Sequence, residues 1–203
     1  MSSPEQIKKQ NQKTIILLLL AFIVPVLAAY LVYINMGEVS KTRNNGELIV
    51  PPRALEKLQL QTTVGKSFGM EELKGNWHLV YLGTGPCAET CQDRLSLMHQ
   101  TRMAQGSAMS RVRLLYIALD KPPANTDKLI HDYTRLTILT GEQEKLAKAI
   151  KLFETDALHN IREEHLIFMI DPLGNLMMRY KKDVRLIGII KDLEHLLKIS
   201  HIG

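Results

Sequence analysis

The chain has 203 residues, of which 45% are hydrophobic, and a formal net charge of +5, so it has room for one folded domain with an accessory segment. Its 26 lysines and arginines are interspersed with 21 acidic residues along the whole sequence, and no basic block stands out. This pattern is typical of a solvated surface of mixed charge and argues against a nucleic-acid-binding protein.

The first predicted element is a membrane anchor. Residues 15–36 are uncharged and almost wholly apolar, and roughly 20 such residues cross a bilayer as a helix. Lys8, Lys9 and Lys13 precede the run, so the positive-inside rule places residues 1–14 in the cytoplasm, although two basic residues beyond the run weaken this bias. The run is longer than a signal-peptide core, and no small-x-small cleavage site follows it. We therefore expect a single-pass protein of the bacterial inner membrane, with its C-terminal domain in the periplasm.

A linker and then an alternating α/β pattern follow the anchor. Residues 37–54 are rich in Gly, Asn and Pro and predict a linker, and residues 55–203 predict the folded domain. Apolar runs predict long strands at 78–82 and 112–119, a short extended segment at 138–139 and a hairpin of 166–170 with 176–180. Helical spacing predicts helices at about 87–106, 125–136, 142–153 and 184–200. The order βαβα…ββα, with a dithiol after the first long strand, predicts a thioredoxin-like α/β fold.

The two cysteines are the strongest functional signal. Cys87 and Cys91 follow the strand at 78–82 and a Gly-Thr-Gly-Pro turn, and the sequence from Cys87 is typical of a helix opening. Residues at i and i+4 lie on one helix face, so the two sulfurs can meet. The positive end of a helix dipole also favours thiolate. Such a pair can exchange disulfides or bind a soft metal. The plainer alternative is an inert disulfide within one helical turn.

Several stretches around this dithiol resemble the Sco (SenC) proteins, which are membrane-anchored, thioredoxin-fold factors of cytochrome oxidase assembly. The resemblance covers residues 55–197 together with the preceding anchor. Its motifs are Leu58-Gln59-Leu60, Gly65-Lys66, the run Leu73 to Gly83, Cys87-x-x-x-Cys91, Leu119-Asp120 with Asn125-Thr126, Leu139-Thr140-Gly141 and Ile170 to Asn175. The resemblance implies copper bound by both cysteines and one histidine, and it implies service to the binuclear copper site of cytochrome c oxidase subunit II. Two positions depart from the family: Gln92 stands where the family has proline, and Glu163 stands in the slot of the family histidine.

The third copper ligand is therefore open. His165 begins the predicted strand 166–170, which runs antiparallel to the cysteine strand in a thioredoxin-like sheet and so starts beside the dithiol. His159, in the preceding loop, is the second candidate, and a site without histidine is the third possibility. Two thiolates and an imidazole suit copper.

The other histidines are too far from the dithiol along a strand or lie on other helices, and they are expected to be packed or solvated: His78, His99, His131, His195 and His201. Five methionines are expected to pack in the core rather than form a copper track: Met98, Met103, Met169, Met177 and Met178.

Three hypotheses for function follow from these residues. The leading one is a membrane-anchored metallochaperone that carries or transfers copper through Cys87 and Cys91, with His165 as the third ligand. The second is a thiol-disulfide oxidoreductase that keeps the cysteines of the oxidase reduced through the same pair. The third is an assembly scaffold in which the dithiol has no role.

Overall fold

The computed structural model describes residues 4–35, 44–154, 160–200 and 202, which belong to two separate units, Met1–Arg43 and Asn44–Gly203. In the first unit, α1 (Pro4–Asn35) is one helix that contains residues 15–35 of the predicted anchor, and residue 36 lies outside the described residues. Its segment Lys13–Leu31 is the one span among the described residues that is long and apolar enough to cross a bilayer. Pro25 lies inside α1, a position that membrane-spanning helices tolerate.

The second unit is built on an eight-stranded mixed sheet. Its strands are β1 (Glu47–Ala54), β2 (Leu60–Thr62), β3 (Ser67–Phe68), β4 (Trp77–Gly83), β5 (Val112–Ala118), β6 (Leu136–Thr140), β7 (Ile167–Ile170) and β8 (Asn175–Tyr180). They are ordered β1-β8-β7-β4-β5-β6-β2-β3. The central strands β4, β5 and β6 are parallel, and β7 runs antiparallel to β4. Every residue of β4 is buried, as expected for a parallel strand covered on both faces.

Helices cover both faces of this sheet. They are α2 (Met70–Leu73), α3 (Glu89–Met103), a 3₁₀ helix (Gly106–Arg111), α4 (Thr126–Asp132), α5 (Gln143–Phe153) and α6 (Leu186–Ile199). The sheet separates two buried clusters, because side chains alternate along each strand. Leu79 and Tyr81 of β4 join the cluster under α3 and α6, whereas Val80 and Leu82 join the cluster under α5. This arrangement confirms the predicted thioredoxin-like α/β fold.

The predicted linker of residues 37–54 is wrong over its C-terminal part. Glu47–Ala54 forms β1, an edge strand that pairs antiparallel with β8. Its ladder shifts register between Leu48 and Arg53, the stretch that contains Pro51 and Pro52. Proline cannot donate to a ladder and is confined to edge strands and irregular positions, so the same two prolines that indicate a linker also fit this edge. Residues 37–43 lie outside the described part of the chain.

The start of the domain is fixed to α6 by one carboxylate. Asp192, which is buried, accepts hydrogen bonds from the backbone N–H of Asn45 at 3.0 and 2.9 Å and from that of Gly46 at 2.9 Å. It also accepts one from Asn45 Nδ2 at 2.9 Å. Gly188 allows this approach, because a Cβ there would lie 2.9 Å from the Cβ of Asn45. The folded domain therefore begins at about Asn45, ten residues before the predicted start at residue 55.

Candidate functional site

The dithiol lies at the end of β4 and is closed as a disulfide. Cys87 and Cys91 are bonded to each other, with Cα atoms 5.1 Å apart. The expected contact of the two sulfurs is thus confirmed. However, α3 begins at Glu89 rather than at Cys87, so only Cys91 lies in its first turn. Both residues are almost covered, with 5% and 7% of their surface exposed, and both belong to the cluster under α3.

Side-chain contacts hold the loop around Cys87. Both carboxylate oxygens of Asp120 accept a hydrogen bond from the backbone N–H of Gly85, at 2.9 and 2.8 Å. Gly85 has a φ of 64°, a left-handed conformation that favours glycine. Gln92 Nε2 donates to the carbonyl of Cys87 at 3.1 Å, and the Tyr133 hydroxyl donates to the carbonyl of Gln92 at 3.4 Å. Sequence reasoning noted Gln92 only as a departure from the family, whereas the structure gives it a contact with the dithiol loop.

His165 lies two residues before β7, at the end of the sheet where β4 ends and the dithiol loop begins. Ile167 pairs with Tyr81 in the antiparallel β4–β7 ladder, so the chain at His165 continues toward the end of β4. This confirms the expected strand direction. His165 Nδ1 is 2.8 Å from the Tyr81 hydroxyl. Partial burial, followed by the charges of Lys182 and Arg94, lowers the pKa of His165 below its ordinary value, which favours the neutral imidazole.

Tyr81, which sequence reasoning did not single out, is the hydrogen-bond partner of His165. Its ring stacks on that of Tyr116, with centroids 5.7 Å apart and planes inclined by 14°. Burial raises the pKa of Tyr81 to about 12, against a smaller opposing effect of Arg94, so its hydroxyl keeps its proton at neutral pH. A tyrosine alternating with leucine in a buried strand is typical of packing, and nothing in the local pattern indicates its bond to His165.

The structure does not assemble a complete metal site. Within residues 4–35, 44–154 and 160–200, no three His, Cys, Asp or Glu side chains are grouped so that they could hold a metal ion. His165 bonds Tyr81 instead, and Glu163, in the slot of the family histidine, is exposed. His159 lies outside the described residues. The assignment of the third ligand therefore stays a prediction.

The remaining histidines behave largely as expected. His78 is buried, and desolvation lowers its pKa to about 4. His99 packs edge-on against Tyr133 with ring centroids 5.8 Å apart, and His131 and His195 are exposed. His201 lies outside the described residues.

Most of the methionines expected in the core pack there: Met98, Met169 and Met178 are buried, and Met177 packs against the same core. Met103 is 47% exposed, so the expectation of core packing is wrong for this residue.

Comparison with known proteins identifies the fold and a family. The family model of a transmembrane-like, thioredoxin-like C-terminal domain matches residues 77–200. A Stutzerimonas stutzeri protein named "Putative copper-binding protein" is 26% identical over 165 residues, which cover 74% of this chain and 80% of that protein.

Solved structures of Sco proteins share the fold. Copper-bound ScoI of Bradyrhizobium japonicum aligns with a TM-score of 0.54 at 20% identity, over 71% of this chain and 96% of that one. BsSco, a member of the Sco family of cytochrome c oxidase assembly proteins in which a disulfide switch was identified, aligns with a TM-score of 0.57 at 20% identity, over 75% and 99%. At this identity the likeness establishes the fold alone.

Proposed function

This chain belongs to the family of transmembrane-like, thioredoxin-like C-terminal domains, and we propose that it is a membrane-anchored copper-binding protein that serves the assembly of cytochrome c oxidase. The observation that carries the proposal is the pairing of Cys87 with Cys91 at the end of β4. The copper-binding name of the Stutzerimonas relative and the copper-bound Sco structure of the same fold support it. The oxidase-assembly role of the Sco family supports the proposed client.

The side-chain types at the disulfide suit copper once that bond is reduced. An external dithiol would donate two electrons and two protons, becoming a disulfide itself, and so convert the bond into two thiols, whose deprotonation gives two thiolates. Thiolate sulfur favours Cu(I), and a neutral imidazole accepts either oxidation state of copper. Cys87 and Cys91 would hold the ion, and His165 lies where the chain before β7 continues toward the end of β4 and the start of their loop. Copper at this site would be the cargo, delivered to the binuclear site of oxidase subunit II.

The chain's own residues prepare this site. Asp120 fixes Gly85 and Gln92 fixes the Cys87 carbonyl, so the loop keeps its shape when the bond between the sulfurs opens. The burial of both cysteines limits access from bulk water, so a client must approach closely at this end of the sheet. All ligands must be deprotonated to bind, and copper affinity is therefore expected to fall as the pH falls.

Copper titration of the reduced full chain in detergent tests this proposal. We expect one Cu(I) per chain in the wild type, loss of binding in Cys87→Ser, and weaker binding in His165→Ala. His99→Ala is the matched control, because His99 packs against Tyr133 and has no part in the site. Copper binding by the wild type that does not exceed binding by the Cys87→Ser/Cys91→Ser chain would refute the proposal.

The location is part of the same proposal. The apolar α1 would anchor the chain in the bacterial inner membrane, with the N-terminus in the cytoplasm and the disulfide domain in the periplasm, where cysteine pairs oxidise. Labelling of single cysteines introduced before and after the span, with a reagent that does not cross membranes, tests the orientation. Labelling only at residues before the span would contradict it.

A thiol-disulfide oxidoreductase is the second candidate function. It is favoured by the disulfide itself and by the lack of a three-residue metal-binding group in the described parts of the chain. In this function Cys87 and Cys91 pass two electrons to a client disulfide and become oxidised while the client becomes a dithiol. Exchange with a model disulfide, followed by a measured reduction potential, separates it from copper carriage. A Cys87→Ser/Cys91→Ser chain that still supports oxidase assembly would favour the scaffold hypothesis over both.

A further inference from the structure

Two stacked tyrosines lie in the same buried cluster as the disulfide. Tyr81 and Tyr116 are paired in register across β4 and β5, and both belong to the cluster that contains Cys87 and Cys91. Their hydroxyls differ in one respect. The Tyr81 hydroxyl contacts His165 Nδ1 at 2.8 Å, whereas the buried Tyr116 hydroxyl has no hydrogen-bond partner among the described residues. The pair therefore offers one tyrosine that can act on His165 and one that cannot.

The position of the His165 ring depends on Tyr81. The backbone of His165 has a φ of 48°, in the left-handed region that side chains other than glycine adopt uncommonly. Its ring lies nearly parallel to that of Tyr81, with centroids 6.3 Å apart and an angle of 27°. The hydroxyl contact to Nδ1 is the hydrogen bond that the structure gives to this ring. Backbone conformation, ring stacking and hydrogen bond all orient one nitrogen of His165 toward the tyrosine.

We propose that Tyr81 is a positioning residue that holds His165 through Nδ1 and leaves Nε2 as the ring nitrogen available to a metal ion at the dithiol. This inference rests on the proposed copper function, since it assigns how the third ligand is presented. A neutral imidazole carries one proton, and only the nitrogen without it has a lone pair to offer. When Nε2 is the ligand, the proton is on Nδ1, where the Tyr81 oxygen accepts it in a hydrogen bond.

The hydrogen bond between Tyr81 and His165 can form with the ring proton on either nitrogen of the imidazole. In the metal-free protein the phenol is the better donor, so its O–H points to the Nδ1 lone pair and the proton of the ring is on Nε2. If Nε2 were to hold a metal ion, it would lose its proton to solvent, Nδ1 would gain one from solvent, and the Tyr81 hydroxyl would turn so that its oxygen accepts the Nδ1–H. Histidine ligands generally donate their other N–H to an oxygen that fixes the ring in this way.

Nitrogen-15 NMR of the histidine side chains tests the contact without any metal. In the oxidised full chain we expect His165 Nδ1 to be a hydrogen-bond acceptor with Nε2 protonated, and we expect this signature to be lost in Tyr81→Phe. Tyr116→Phe is the matched control, because it removes an equally buried hydroxyl from the same stack and should leave the His165 signals unchanged. Identical His165 signals in Tyr81→Phe and the wild type would overturn the inference.

A double-mutant cycle measures the effect on Cu(I) affinity of the reduced chain. Partners that orient a metal-bound histidine contribute about 10–100-fold in affinity, so Tyr81→Phe is expected to weaken binding within that range. The same substitution made in His165→Ala should have no further effect. Equal weakening in both backgrounds would show that Tyr81 acts through packing and would overturn the inference.

Diamagnetic Cu(I) also allows a measurement on the unaltered protein, which remains decisive if Tyr81→Phe does not fold. We expect the His165 ring of the loaded wild type to have a metal-bound Nε2 and a protonated Nδ1. Coordination through Nδ1, or His165 signals that do not move on loading, would refute the positioning role while leaving the copper function intact. Failure of the wild type to bind copper at all would instead refute the proposed function.

Discussion

Gly83, the last residue of β4, lies against both stacked tyrosines. A Cβ on Gly83 would lie 2.7 Å from Tyr116 Cε2, 2.9 Å from its hydroxyl oxygen and 3.0 Å from Tyr81 Cε1. These are ring atoms of fully buried side chains in the sheet, so they cannot move aside freely. Gly83→Ala should therefore shift the stack and with it the Tyr81–His165 hydrogen bond.

Two opposing effects set the size of the change. Overpacking a buried site costs about 1–3 kcal/mol in the free energy of unfolding. Restricting the unfolded chain by a glycine-to-alanine change returns about 0.4–1 kcal/mol. The clash is the larger effect, so we expect a net loss of about 1–2 kcal/mol, which lowers the melting temperature of a domain of this size by about 2–8 °C.

Gly141→Ala is the matched control for this experiment. A Cβ there would meet only the end of the Leu60 side chain at 3.2 Å, followed by Lys145 Cβ at 3.6 Å. We expect this variant to be as stable as the wild type or slightly more stable. Thermal unfolding of the oxidised chains, together with the His165 NMR signals, provides the assay. If the two variants are equally stable, or if Gly83→Ala leaves the His165 signals unchanged, the argument from the tyrosine stack is refuted.

Two further predictions concern buried ionisable groups. Asp192→Asn replaces one acceptor oxygen facing the N–H groups of Asn45 and Gly46 by a donor, so we expect urea denaturation to show a loss of about 2–4 kcal/mol in the free energy of unfolding. Glu194→Gln, at an exposed ion pair of the same helix, is the control and should cost less than about 1 kcal/mol. Equal losses in the two variants would contradict the role of Asp192. Burial lowers the pKa of His78 from 6.5 to about 4. Between these pH values the unfolded chain therefore binds a proton that the folded chain does not. The stability contributed by neutral His78 is complete above pH 6.5 and falls as the pH falls toward 4. Between pH 6.5 and 5 we expect the free energy of unfolding to fall by about 2 kcal/mol because of this residue. The measurement is the free energy of unfolding against pH for the wild type and for His78→Gln. Parallel pH dependences of the two proteins would refute the prediction.

The sequence by itself determined the features that depend on local pattern. The apolar run near the N-terminus predicted a helix, and the alternation of buried strands with amphipathic helices predicted the thioredoxin-like sheet, because burial periodicity is a property of contiguous residues. The spacing of Cys87 and Cys91 after a strand and a turn predicted that their sulfurs meet, even though α3 begins two residues later than expected.

Only the tertiary structure decided the features that join distant segments. The pairing of β1 with β8 depends on an edge that is more than 120 residues away in sequence, so Glu47–Ala54 had no local signal strong enough to overcome its two prolines. The contact of Tyr81 with His165 joins β4 to the turn before β7, 84 residues apart. A hydrogen bond between two side chains depends on where the backbone brings them, and the residue types alone do not specify that position.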